Sequence, residues 1–154
     1  MENKEALTCN TGKGILFALL GALVVSALWL AVIALVGAGT GGMIGGAFAA
    51  VLGLGAATGY QKGPGKPGAV GIIVVALLVL IAAAKVVTLG AALQLYHAGL
   101  GSSLSQAVEL LFDLLGTNRD LTSAFLQDLI VSGGIALVMA IITLVRTKKE
   151  KAQD

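Results

Sequence analysis

Residues 14–61 contain no Asp, Glu, Lys or Arg, a run of 48 residues. About 20 apolar residues in a helix cross a bilayer core about 30 Å thick, so this run is long enough for two crossings. Residues 67–84 and 129–145 are also free of charge, over 18 and 17 residues. In a soluble domain roughly a quarter of the residues are charged; here the share is 12%, with 57% hydrophobic. A chain of 154 residues with this pattern is expected to form one membrane domain.

The expected architecture is all-α: a four-helix transmembrane bundle with an amphipathic extracytoplasmic helix between the third and fourth crossings. The predicted crossings are 14–36, 42–60, 69–93 (with a continuation towards His97) and 125–146, with polar tails at 1–13 and 147–154. Gly37, Ala38, Gly39, Thr40 and Gly41 read as a tight hairpin, and the two prolines and three glycines of residues 61–68 as a loop. In the predicted helix 103–115, Ser103 and Gln106 fit a capping box. Gln106, Glu109 and Asp113 share one face, and Leu104, Ala107, Val108, Leu111 and Leu115 share another. Such a helix can lie in the membrane interface or cap the bundle. Gly116 is expected to end it.

Eight of the ten basic residues fall in three segments: Lys4 and Lys13, Lys62 and Lys66, and Arg146, Lys148, Lys149 and Lys151. Four crossings put these segments on one side, which the positive-inside rule makes cytoplasmic. Both termini are thus expected in the cytoplasm. Tyr60 and Tyr96 are expected as interfacial anchors, one at each surface.

Small residues recur every fourth position through the second helix. Gly37, Gly41, Gly45, Ala49, Gly53 and Ala57 form one row, with Gly42, Gly46 and Ala50 beside it; Gly14, Ala18, Ala22 and Ser26 repeat the spacing in the first helix. Lipid supplies little hydrophobic force between helices, so close backbone approach at small residues must hold them. The first two helices are expected to pack as a close hairpin. A seam between copies of the chain, as in glycine-zipper pores, is the competing reading.

Lys85 interrupts the third crossing. It lies 16 residues above Ala69, about 24 Å at 1.5 Å per residue, in the outer part of the core. Asp128 is 18 residues before Arg146 and comes out at a similar height. Three readings compete for Lys85: a snorkelling side chain, an ion pair with Asp128, and an outer-vestibule site for an anionic substrate or headgroup.

Little other chemistry is present. The single cysteine, Cys9, forms neither an internal disulfide nor a zinc site alone. The single histidine, His97, falls near the outer interface, and no HExxH, CxxC or paired-carboxylate pattern occurs. Residues 37–42 fit GxGxxG but follow no strand, and the 63–67 loop lacks the phosphate-loop spacing. The Ser and Thr residues of the spans can return hydrogen bonds to their own helix. A net charge of +2, without a basic patch interleaved with aromatics, excludes nucleic acid as a partner. The expected protein has no catalytic residue, metal or cofactor. Its partners are the bilayer and either further copies of itself or another membrane protein. A small channel or transporter with Lys85 near its outer mouth is the alternative.

The run GILFALLGALVVSALW, followed by a Gly-rich second helix closing on Ala57-Thr58-Gly59-Tyr60-Gln61-Lys62, resembles a group of small uncharacterised multipass membrane proteins of Gram-positive anaerobic bacteria. The likeness covers about residues 10–95. Some members carry an N-terminal zinc ribbon, from which this chain departs with Cys9 alone. The resemblance implies a bacterial plasma-membrane location and no particular activity.

Overall fold

The computed structural model describes the backbone of residues 5–36, 41–62 and 69–150, and the side chains of residues 12–35, 47–61 and 70–146. Among the described residues there are five helices and no strand: α1 (Glu5–Val36), α2 (Gly41–Lys62), α3 (Ala69–His97), α4 (Leu104–Thr117) and α5 (Arg119–Glu150). Three are long and apolar enough to cross a membrane, over Gly12–Leu35, Val70–His97 and Arg119–Arg146. The chain is therefore a membrane protein by the length and composition of its helices.

Helix and apolar run do not share boundaries. α1 begins nine residues before the predicted start at residue 14. The stretch EALTCNTGK has no proline, so the helix extends past the end of the hydrophobic run. At the other end of the chain, Asn118 closes α4 and opens α5 together. Its N–H donates to Leu114 O at 2.8 Å, and its Oδ1 accepts from the N–H groups of Asp120 and Leu121, both at 3.1 Å. That side chain satisfies two of the free donors at the start of α5. α5 consequently starts at Arg119, ahead of the apolar stretch, and Gly116 does not end α4, which runs on to Thr117.

α3 ends at a motif that the hydropathy pattern passes over. Gly99 has φ +76°, its N–H donates to Tyr96 O, and Leu100 N–H donates to Leu95 O, each at 3.0 Å. This is the Schellman arrangement, whose left-handed residue favours glycine.

Side-chain sizes are sorted opposite to those of a soluble bundle. The core is built largely of Ala18, Ala22, Ala49, Ala56, Ala57, Ala83, Ala136 and Ala140, with Val75, Val79, Val86, Leu52 and Leu144. Leu16, Leu23, Leu28, Val51, Leu54, Ile73, Leu77, Ile81, Ile130 and Val138 face outward. Exposed apolar area on this scale needs a nonaqueous surrounding, and small interior residues let backbones approach in lipid.

The closest approaches are at glycines. A Cβ on Gly21 would strike the Gly55 carbonyl oxygen, one on Gly59 the Phe17 carbonyl oxygen, and one on Gly53 the Ala136 carbonyl oxygen. The α1–α2 hairpin is close-packed as expected, and Ala18 and Ala22 are buried in it. Of the row assigned to that contact, Gly53 is the glycine whose surroundings are described, and it lies elsewhere. α2 meets α1 through Gly55 and Gly59, whereas Gly53 faces α5. The second GxxxG spacing, Gly55 to Gly59, signals this contact, but the longer ladder beside it is the more conspicuous pattern. Ala49 is buried in the core; Gly37 lies outside the described residues, and so do the side-chain surroundings of Gly41, Gly42, Gly45 and Gly46.

Tyr60 is not an interfacial anchor. It is 2% exposed, with Gly14 on one side and Gly71 on the other. Glycines on both neighbouring helices make a slot that takes the ring. Tyr96 is exposed, its ring centroid 6.0 Å from that of His97.

α4 packs Ala107 and Leu111 on Ala92 of α3, with Val108, Leu115 and Phe125 around them. Its Gln106, Glu109 and Asp113 are exposed. Ser103 Oγ accepts from Gln106 N–H at 3.3 Å. The Gln106 side chain reaches back to Ser102, accepting from its N–H at 3.1 Å and its hydroxyl at 2.6 Å. The capping box is thus present with its return bond moved one residue upstream.

Candidate functional site

The relative heights of the helices follow from their glycine contacts. Gly14 and Gly71 both flank Tyr60, and a Cβ on Gly90 would lie 3.1 Å from Ile33 Cδ1. α1 and α3 therefore run parallel in one register along their length. α3 and α5 are antiparallel, and a Cβ on Gly133 would lie 3.5 Å from Leu80 Cδ2.

Lys85 and Asp128 are each five residues from the Leu80–Gly133 contact, both towards α4. That contact puts them at similar heights. Five residues also turn each side chain about 140° around its helix from that contact. Both side chains are exposed, on faces turned away from the α3–α5 seam. Among the described residues no ion pair joins them.

Lys85 instead lines a groove between α1 and α3, about 310 Å³ in volume. Leu23, Ser26, Ala27, Leu78 and Ala82 line it as well. Ser26 donates its hydroxyl proton to Ala22 O at 2.7 Å, so Lys85 is the groove's charged group and the rest of the wall is nearly all apolar. Small residues from both helices, Ala22, Ala27 and Ala82, set its width.

Three threonine hydroxyls of the long helices are used in the same local way. Thr58 donates to Leu54 O at 2.8 Å, Thr88 to Ala84 O at 2.9 Å and Thr143 to Met139 O at 2.7 Å. One polar contact between helices was not anticipated. Gln61 Nε2 donates to Thr143 O at 3.0 Å, tying α2 to α5 beside Tyr60. Its only trace in the sequence is a lone amide at the end of an apolar run. Ser132 is the buried polar side chain among the described residues. No group of three or more His, Cys, Asp or Glu side chains among them is placed to hold a metal ion.

No protein-family model, no curated protein and no solved structure matches the chain.

Proposed function

We propose that this chain is a non-enzymatic multipass protein of the bacterial plasma membrane that works as an accessory or structural component, through helix packing with itself or with a membrane-protein partner. In this reading α2 is a fourth crossing, both termini are cytoplasmic, and α4 lies on the extracytoplasmic side. One observation carries the reading: small residues fill the interior while large apolar residues cover the outside of four long helices. A protein built this way presents surfaces for lipid and for other helices, and little that could carry out a reaction.

The alternative, a small channel or transporter with Lys85 near its outer mouth, has to place its pathway between copies. The groove beside Lys85 lies between α1 and α3, while the interior of the bundle is closed by alanine, valine and leucine. Extraction of the full chain into native lipid nanodiscs, with determination of particle mass and composition, tests the main reading. The expected result is a discrete homo-oligomer or a stoichiometric complex with another membrane protein. A lone monomer that carries specific solute flux in liposomes overturns it.

A further inference from the structure

We infer that the groove between α1 and α3 receives α5 of a second copy of this chain, with Asp128 of one copy paired to Lys85 of the next. The inference deepens the reading of the protein as a membrane-spanning packing protein, and rests on it.

Height is the first argument. Copies related by rotation about the membrane normal keep every residue at its own depth. Lys85 and Asp128 are level within one copy, by the Leu80–Gly133 contact, so they are level between copies as well. Within one copy they face different ways and form no pair; between neighbours that same divergence is what a head-to-tail contact needs.

The surfaces also match below the charged pair. On α3 the groove runs from Leu78 to Leu89, eleven residue steps or about 16 Å. By the same register this interval is level with residues 124–135 of α5. That segment carries Asp128, Val131 and Gly134, all exposed and at helical spacing. Nothing lies within 4 Å of a Cβ placed on Gly134. A glycine in mid-helix weakens the helix by up to about 1 kcal/mol relative to alanine, and here no contact within the chain explains it. Against a neighbour it permits close approach, opposite a groove narrowed by Ala22, Ala27 and Ala82. An ionisable side chain within a span calls for a partner, and Asp128 supplies the opposite charge at the right depth.

The test uses the full chain with Cys9→Ser, so that added cysteines are the only thiols. Ala82 and Val131 are level and lie on the two proposed surfaces, and replacing them leaves Lys85 and Asp128 intact. Ala82→Cys and Val131→Cys chains are reconstituted separately and together, then treated with a short thiol cross-linker. A cross-linked dimer is expected only in the mixture. Adding Lys85→Ala to both chains should lower its yield by roughly threefold to tenfold, in line with polar contacts between membrane helices. The exchange Lys85→Asp with Asp128→Lys should restore it.

Equal cross-linking in each separate sample would mean a symmetric contact and overturn the inference. No cross-link in a particle whose mass shows a homo-oligomer or a complex with another protein overturns it too, while leaving the broader packing reading in place. A lone monomer, with or without co-purified lipid in the groove, overturns the inference, and specific solute flux by that monomer overturns the broader reading as well.

Discussion

At the residue scale, glycines in the same helix class have different work. Gly21, Gly53 and Gly59 each lie where a Cβ would meet a backbone carbonyl oxygen of the next helix. Backbone cannot swing aside as a side chain can, so the helices would have to separate. Gly116 is exposed near the end of α4 with nothing within 4 Å. Gly53→Val should destabilise the protein by about 1–3 kcal/mol through overpacking. Gly116→Ala should stabilise α4 by up to about 1 kcal/mol through helix propensity. Unfolding of both variants in the same detergent micelles measures the contrast, and equal effects would mean that the α2–α5 contact is looser than the structure has it. In sequence the two residues are both glycines in helical segments. Only the neighbour across the gap separates them.

At the scale of elements, local chemistry settles where helices stop, and in α4 the hydrophobic face settles which way the helix turns. Ser103, Asn118 and Gly99 are polar or special residues acting at termini. The capping box of α4 was legible because its spacing is fixed by one helical turn. The end of α3 at Gly99 was not, because a left-handed glycine looks like any other until its φ is known. Ser103→Ala should weaken α4 by about 1 kcal/mol, seen as faster amide exchange in residues 104–117 with exchange in α3 unchanged. Equal acceleration across α3 would show that α4 and α3 open as one unit. The apolar face read from the pattern of α4 is the one that packs, with Ala107 and Leu111 seated on Ala92.

At the scale of the whole molecule, the proposed four crossings would place both termini on one side and α4 on the other. In a Cys9→Ser background, a cysteine at Gly116 should react with a membrane-impermeant thiol reagent added outside intact cells. A cysteine at Lys148 should react only after the membrane is opened. Protection of Gly116 with reaction of Lys148 from outside would mean that α2 does not cross and that three helices do, and reaction of both from outside would mean that α5 does not cross. The proposed assembly belongs to this scale as well. Lys85 and Asp128 could be matched in height from the sequence, because rise per residue is constant along a helix. Their direction could not, because it depends on how α3 and α5 are rotated against each other.

The sequence by itself determined that the chain is helical and suited to a membrane, since long uncharged runs have few other stable surroundings. It also determined the similar heights of Lys85 and Asp128 along their helices, and the presence of small residues for close packing. The tertiary structure decided which small residue meets which helix, as with Gly53 on α5 and the Gly55–Gly59 pair on α1. It also decided that Tyr60 is enclosed between two glycines. The division has one physical cause. Distance along a helix follows from counting residues, but facing depends on rotation about its axis. In a helix apolar on every side, hydrophobic pattern leaves that rotation open, and contact between backbones sets it.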